Sequence, residues 1–321
     1  MSGSISNAND DPLLGKIAVS IPDAIQAHAS SSSQQTKNNV KFIDGSWWLG
    51  DRSGRDDFTR GPRIQGAYFF DIDDIAAPSA LPHMMPPKEL FAAAMDEMNI
   101  SNDDHIIVYG TENCLIVQRA WFQIRNMGHD PKYMHMLDGS LADWTAMGGP
   151  VEEGDPTNPI ISAKDLDLTK PSNYKAADPQ NIVDKDEMIQ LIEQGESADA
   201  IWVDVRSQER FLGQVEEPRP GMRLGHMPFG KNVFFRDLLQ DDNVSKFKSK
   251  KELKKIIEDG GVDLSTNKRI ICSCGSGATA CTLVAALELA GVDKDQIYVY
   301  DGSWSEWGGL PDTPIVKESD K

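Results

Sequence analysis

The 321-residue chain is poor in cysteine and has no long apolar run. Its four cysteines are Cys114, Cys272, Cys274 and Cys281, and the last three crowd together without a paired disulfide pattern. A chain of this length can bury a sufficient core without covalent cross-links. We therefore predict a reducing compartment in which the cysteines are either packed or reactive. No apolar stretch approaches the roughly 18 residues of a membrane span, so we predict no membrane partner.

Positive charge is also scarce, because 32 Lys and Arg residues face 50 Asp and Glu residues and give a net charge of -18. Such a surface repels phosphate backbones and anionic lipids, which argues against direct nucleic-acid binding. Up to residue 40 the only basic residues are Lys16 and Lys37, a pattern unlike an Arg-rich mitochondrial presequence. The cytoplasm is the expected location, with the mitochondrion as the alternative. An anionic substrate would need a local basic cluster.

The chain repeats itself once. Lys88-Glu89-Leu90 recurs as Lys251-Glu252-Leu253, and Asp138-Gly139-Ser140 recurs as Asp301-Gly302-Ser303. Trp144 and Phe42-Ile43-Asp44 have counterparts in the same order, in Trp307 and Trp202-Val203-Asp204. The pattern predicts a tandem duplication, with domain 1 over residues 17–150, a linker over 151–180 and domain 2 over 181–316. Residues 1–16, the Ser/Gln run 30–38 and the tail 317–321 are expected to be flexible.

Each half alternates strand-like and helix-like segments, which predicts an α/β fold with a mainly parallel sheet flanked by helices. In the second half the strands are expected at 200–205, 269–273 and 296–300. The helices are expected at 249–257 and 280–290, the latter closed by Gly291. Ligands of such sheets bind where strand carboxyl ends meet helix N-termini.

The segment from Ile270 to Cys281 places one cysteine at such a point. A strand ends, a loop of small residues follows Cys274, and a helix begins. Gly275 and Gly277 let the loop curl so that its backbone N–H groups form an anion-binding nest. A nest at a helix N-terminus stabilises a thiolate and could hold a persulfide sulfur.

The cysteines also have to be compared with three other roles, namely core packing, a phosphatase loop and a zinc site. A cysteine can simply be a small buried hydrophobe, and we expect this for Cys272 and Cys281. A phosphatase loop would need an Arg at position 280, which is Ala280, and no Arg or Lys occurs from 275 through 290. No second pair of ligands at zinc spacing is present, so no metal or cofactor is predicted.

The loop from Cys274 to Cys281 resembles the active-site loop of the mercaptopyruvate sulfurtransferases. These are proteins of two rhodanese domains, of which only the second carries the cysteine. The resemblance implies that sulfur moves from 3-mercaptopyruvate to Cys274 as a persulfide, with release of pyruvate. A thiol acceptor such as thioredoxin, or cyanide, would then take the sulfur. Gly110 falls at the cysteine's place in the first half, which resembles the inactive domain.

The resemblance also implies roles for individual residues. Arg210 and Arg219 match two arginines that bind the substrate carboxylate and carbonyl, although Glu209 and Val215-Glu216 depart from the usual pattern around them. Asp73, His83 and Ser276 match an Asp–His–Ser proton relay, with a purely structural role for Asp73 and His83 as the alternative. The loop residues that would contact the substrate are Gly275, Gly277, Ala278 and Thr279. Arg206 is expected to pair with Asp204, and His226 to be structural.

Three alternatives stay open. The donor could be thiosulfate, but true rhodaneses place Arg and Lys after the cysteine, whereas Gly275 and Ser276 are neutral. The chain could be a persulfide relay protein for tRNA thiolation or cofactor biosynthesis, which needs the same cysteine. A binding module without turnover is disfavoured by the intact Cys274 loop and the two arginines.

Overall fold

The computed structural model describes residues 11–32 and 39–317. In the first half the helices are α1 (Ile21–Ser32), α2 (Gly54–Arg60), α3 (Lys88–Glu97), α4 (Val117–Asn126) and α5 (Leu141–Ala146). The strands of this half are β1 (Ala18–Val19), β2 (Val40–Asp44), β3 (Arg63–Ile64), β4 (Tyr68–Phe69), β5 (His105–Tyr109), β6 (Met134–Leu137) and β7 (Val151–Glu152).

The second half repeats this order. Its helices are α6 (Lys185–Gln194), α7 (Gln208–Phe211), α8 (Lys250–Asp259), α9 (Ala280–Ala290) and α10 (Ser303–Trp307). Its strands are β8 (Ile182–Val183), β9 (Ala200–Asp204), β10 (Lys231–Asn232), β11 (Arg269–Ser273) and β12 (Ile297–Tyr300).

The two main sheets have the same topology. The first runs β1-β6-β5-β2-β4 and the second β8-β12-β11-β9-β10, and all their pairings are parallel. Asp44 pairs with Tyr109 in the first, and Asp204 pairs with Ser273 in the second. Gly110 and Cys274 therefore follow equivalent strand ends. The predicted α/β fold of two similar parallel-sheet domains is confirmed.

Most predicted elements of the second half lie where the sequence placed them. The strand 269–273 and the helix 280–290 have the predicted bounds, and α8 extends two residues beyond its predicted end. Four edge strands of two residues each, β1, β4, β8 and β10, were not predicted. A two-residue strand is too short to show an alternating apolar pattern.

The two halves share a core. Helix α9 is apolar on nearly all sides and fully buried along most of its length, as is typical of a helix enclosed by other elements. It packs against β11 in its own half and against α4 of the first half. Trp121 on α4 and Leu283 on α9 belong to the same buried cluster. This contact brings the carboxyl edges of the two sheets to a common cleft.

Some of the segments expected to be flexible or to link the domains pack against the fold, and others lie outside the described residues. Residues 1–10, 33–38 and 318–321 lie outside the described residues, while 30–32 belong to α1. Leu13 is buried and the Gly15 N–H donates to the Lys132 carbonyl, so residues 11–16 pack on the first sheet. In the 151–180 segment, β7 pairs with β3, and Tyr174 is buried. Among the described helices none is both long and apolar enough to cross a bilayer.

Candidate active site

Cys274 follows β11 directly and is only 2% exposed. The carbonyl groups of Cys274 and of the loop after it accept hydrogen bonds that hold the loop in place. The N–H of Trp304 donates to the Cys274 carbonyl (3.1 Å), and the N–H of Ser305 donates to the Gly275 carbonyl (2.8 Å). Arg119 of the first half donates to the Gly277 carbonyl (3.5 Å). All three donors belong to other segments of the chain.

These contacts orient the N–H groups of the loop. In a planar trans peptide a C=O and the following N–H point in opposite directions. Because the carbonyls of residues 274, 275 and 277 point toward these donors, the N–H groups of residues 275, 276 and 278 point away from them. Within the described ranges these three N–H groups have no acceptor in the protein. Gly277 has a φ of 79°, a left-handed conformation that favours glycine. These unpartnered N–H groups are the ones that the predicted nest would use.

Cys274 lines a cleft of about 370 Å³ between the two halves. The second half contributes the loop and a set of residues that includes the arginines, namely Gly275, Ser276, Ala278, Thr279, Arg206, Arg210, Pro218, Arg219 and Phe235. The first half contributes a mainly apolar wall of Trp47, Trp48, Leu49, Asn113, Leu115 and Ile116. The individual residues of this wall were not singled out in the sequence. Trp47 and Trp48 follow the end of β2 as Arg206 follows the end of β9, which is the signal that could have found them.

Two predicted arginines converge on the loop. A Cβ at Gly275 would lie 3.2 Å from Nη2 of Arg210 and 3.7 Å from Nη1 of Arg219. The missing side chain of Gly275 thus makes room for both guanidinium groups. Glu217 pairs with Arg210, and among the described residues Arg219 has no ion pair. A strongly acidic chain therefore places two cations within reach of its cleft cysteine.

Arg206 also lines the cleft, and its side chain is almost fully buried. Its guanidinium binds Asp204 at 2.6 to 3.1 Å and Glu217 at 2.7 Å. The expected contact with Asp204 is present. Glu217 bridges Arg206 and Arg210 and so fixes the position of α7 relative to β9. Glu217 was not singled out in the sequence because its role depends on this three-dimensional contact.

Asp73 and His83 lie next to each other in the first half. Nδ1 of His83 is 2.5 Å from Oδ1 of Asp73, although the two are not aligned as a hydrogen bond. The Trp47 indole N–H donates to the other oxygen of Asp73 (2.5 Å), and its ring meets the imidazole edge-on. Burial opposes ionisation of Asp73, but His83, Trp47 and the charge of Arg219 together lower its pKa below the ordinary value.

The third member of the predicted relay is less close. Ser276 lines the cleft, but among the described residues His83 and Ser276 form no hydrogen bond with each other. Nε2 of His83 is buried and has no protein partner among those residues. The structure thus brings Asp73 and His83 together beside Trp47, a residue of the cleft wall. It does not show the complete Asp–His–Ser chain.

The other cysteines are buried and do not line this cleft. Cys272 and Cys281 are fully buried, and burial raises the pKa of Cys272 well above its ordinary value and that of Cys281 to about 12. Burial also raises the pKa of Cys114. These three thiols stay protonated near neutral pH, and thiols are poor nucleophiles compared with thiolates. Cys274 is the cysteine that faces the cleft.

Comparison with known proteins identifies relatives of the whole arrangement. Residues 184–310 match the family model described as a rhodanese-like domain. The chain is 36% identical over 266 residues to the 3-mercaptopyruvate sulfurtransferase of Escherichia coli K12, covering 83% of this chain and 86% of the relative. It is 33% identical to the mitochondrial thiosulfate/3-mercaptopyruvate sulfurtransferase 1 of Arabidopsis thaliana, covering 86% and 74%.

A solved structure agrees over nearly the full length. The crystal structure of the Tum1 protein from Saccharomyces cerevisiae matches with a TM-score of 0.76 and 29% identity, covering 96% of this chain and 99% of that one. The similarity therefore extends over both halves and is not limited to the cysteine-bearing one.

Proposed function

The chain belongs to the 3-mercaptopyruvate sulfurtransferase family of rhodanese-fold enzymes, and we propose that it transfers sulfur as a persulfide on Cys274. The observation that carries this proposal is the cleft itself. One cysteine lies in a nest of backbone N–H groups, with Arg210 and Arg219 against the same loop. Backbone N–H groups and a helix N-terminus stabilise both a thiolate and the anionic terminal sulfur of a persulfide.

The proposed donor is 3-mercaptopyruvate. Its carboxylate and carbonyl fit two guanidinium groups, which bind such groups in a bidentate manner. The Cys274 thiolate attacks the donor sulfur, an S–S bond forms, and the C–S bond breaks. The electron pair of that bond passes to the methylene carbon, giving the enolate of pyruvate. The proton of the donor thiol moves to this carbon, leaving a Cys274 persulfide anion and pyruvate.

Proton transfer to the enolate is the step at which the first half contributes. The proposed route passes through His83, oriented by Asp73, with the Ser276 hydroxyl between the imidazole and the substrate. General acid–base help of this kind contributes about 10²–10⁴-fold to rate. The unpartnered Nε2 of His83 and the position of Ser276 in the cleft support this assignment. Gly275, Gly277, Ala278 and Thr279 supply the backbone of the nest.

In the second step of the reaction, the sulfur passes to a thiol acceptor such as thioredoxin, or to cyanide. A nucleophile attacks the outer sulfur of the persulfide, and the Cys274 thiolate leaves. No metal or organic cofactor is needed for either step. We propose a reducing location, the cytoplasm or the mitochondrion, in which an acceptor thiol stays reduced.

Thiosulfate is the second candidate donor, because the Arabidopsis relative carries it in its name. The neutral Gly275 and Ser276 favour the monocarboxylate over the thiosulfate dianion. A comparison of kcat/KM for the two donors decides between them. We expect the value for 3-mercaptopyruvate to be higher, and a higher value for thiosulfate would reverse the assignment.

Intact-mass measurement tests the persulfide directly. After incubation of the full chain with 3-mercaptopyruvate, we expect one added sulfur, located on the peptide that contains Cys274. Cys274→Ser should gain none, while Cys114→Ser and Cys272→Ser should gain as much as the parent protein. Added sulfur on Cys274→Ser, or full turnover of that variant, would overturn the proposal.

A further inference from the structure

Arg119 crosses from the first half to the second without contacting the cleft. It lies on α4, is fully buried, and carries a charge that the proposed chemistry does not use. Nη1 lies 2.8 Å from Oδ1 of Asp301, at the end of β12. Burying a guanidinium requires compensation by charge and hydrogen bonds, and Asp301 supplies the charge.

The guanidinium also contacts the Cys281 thiol and two backbone carbonyls. Nη1 donates to the carbonyl of Gly277 in the Cys274 loop, and Nη2 donates to the carbonyl of His83. Asp301 makes the reciprocal contact, because its Oδ2 accepts from the N–H of Met85 at 2.8 Å. One buried ion pair thus fastens the His83 segment of the first half to the Cys274 loop of the second.

Both carbonyls belong to unusual backbone. Gly277 has a φ of 79°, which glycine adopts readily. His83 has a φ of 59°, and a non-glycine residue keeps such a conformation only where the surroundings hold it. The contact with Gly277 also matters for the nest, since a carbonyl that points toward Arg119 turns the N–H of Ala278 away from it. Loss of the guanidinium would remove one hydrogen bond from each segment at once.

We propose that Arg119 is a positioning residue that sets the Cys274 nest and His83 relative to each other. This rests on the proposed persulfide function and names a residue that acts on it without touching the substrate. Arg210 and Arg219 bind the substrate and do not depend on Arg119. Its loss is therefore expected to lower the rate of the chemical step and to leave substrate binding nearly unchanged.

Arg125 offers a matched control. It lies on the same helix and forms a similarly enclosed ion pair with Glu288 of the second half. It also stacks on Trp121. No contact of Arg125 in the described residues involves the Cys274 loop or the His83 segment. Its replacement should weaken the interface between the halves to a comparable extent without moving the reacting groups.

The experiment compares Arg119→Gln with Arg125→Gln in the full chain. Both should have a lower Tm. For Arg119→Gln we expect kcat with 3-mercaptopyruvate to fall about 10- to 100-fold, since displacements near 1 Å have effects of this size. Its KM should stay within about threefold, the signature of an effect on the transition state alone. For Arg125→Gln both constants should stay within about twofold of the parent values.

Arg119→Lys is the second variant, for the case in which Arg119→Gln does not fold. A lysine can pair with Asp301 but lacks the planar fork that reaches two carbonyls. It should recover most of the Tm but little of the kcat. A parental kcat in either folded Arg119 variant, or an equal loss in Arg125→Gln, would overturn the positioning role and leave only a structural one.

The rate at which mass is gained on Cys274 separates this inference from the proposed function. If the parent protein gains no sulfur there, both are overturned. If the parent gains it and Arg119→Gln gains it at the parental rate, the positioning role alone is overturned. Because the nest serves every donor, we expect the slower gain with thiosulfate as well as with 3-mercaptopyruvate.

Discussion

The two halves of the molecule have sheets of the same topology but carry different side chains at the carboxyl edge of those sheets. In the second half, Cys274 follows β11 and Arg206 follows β9. At the equivalent places in the first half stand Gly110 and Ser46, and Asp44 and Asp204 occupy the same register. One copy therefore presents a thiol in the same cleft as the buried Arg206 and its carboxylate partners. The other presents a neutral loop and two tryptophans.

This difference shows how the parts of one site can be divided between the two copies of a duplicated fold. The second half holds the candidate nucleophile and the cations that favour an anionic donor. The first half closes the cleft with Trp47, Trp48 and Leu49 and carries Asp73 and His83. Neither half alone encloses the cleft. Substitutions that exchange features between the halves are the strongest way to test the division.

The largest expected effect comes from moving the cysteine. The double variant Cys274→Ser/Gly110→Cys should have no sulfur transfer above background with either donor. A side chain at Gly110 would overlap that of Val117 and approach Cys114 at 3.3 Å, so the first-half loop has no room for a nucleophile. Pyruvate release and intact mass measure the outcome. Recovery of turnover in the double variant would show that the two loops are equivalent.

The second largest effect is expected from the replacement of His83 in the first half. His83→Asn should lower kcat for 3-mercaptopyruvate by about 100-fold, the lower end of general acid–base effects. Asn tolerates the positive φ of this position better than Ala does. With thiosulfate the loss should be much smaller, because sulfite leaves without protonation at carbon.

His129→Asn is the control for His83. It is also a buried histidine of the first half, bonded to Tyr174 and the Asp104 carbonyl. Its replacement should lower stability and leave the ratio of kcat values for the two donors unchanged. An equal loss with both donors in His83→Asn would assign His83 to the interface only.

The arginines of the second half should have a somewhat smaller effect. Arg210→Ala and Arg219→Ala should each lower kcat/KM for 3-mercaptopyruvate about 10- to 100-fold, since charge-assisted hydrogen bonds contribute roughly 1.5–3 kcal/mol. Lysine at either position should restore only part of this. Arg60→Ala, an exposed cation of the first half, should change nothing. A parental KM in either of the first two variants would contradict substrate binding by that arginine.

The sequence predicted those features that depend on local pattern. The duplication was visible because equivalent strands and helices have nearly equal lengths, which keeps the landmarks at a constant spacing. The Cys274 nest was visible because a strand, a loop of small residues and a helix follow one another. Trp48, Glu217 and Arg119 were missed. Their roles arise from contacts with residues far away in the chain, and no local periodicity records such contacts.

The last comparison concerns two buried carboxylates at equivalent positions. Asp204 is 3% exposed and is paired with Arg206, whereas Asp44 is 1% exposed and has Ser46 in place of the arginine. Asp44 accepts the Ser46 N–H at 2.8 Å and is hydrogen-bonded to Tyr109. These contacts do not compensate for burial, which raises the pKa of Asp44 to about 6 from 3.8.

The consequence for stability has a definite sign. A carboxyl whose pKa is raised by folding keeps its proton between about pH 4 and pH 6, while the unfolded chain has already released it. Stability contributed by Asp44 is therefore lost as the pH rises through this window, by up to about 3 kcal/mol.

Asp44→Asn removes the ionisation and keeps an acceptor for the Ser46 N–H. Its urea midpoint should exceed that of the parent at pH 7.5 and equal or fall below it at pH 4.5. Asp204→Asn should lower the urea midpoint at pH 7.5. It removes one partner of a buried ion pair, which costs about 3–5 kcal/mol of stability. If both variants shifted the midpoint in the same direction at pH 7.5, the two halves would not differ in how they hold this charge.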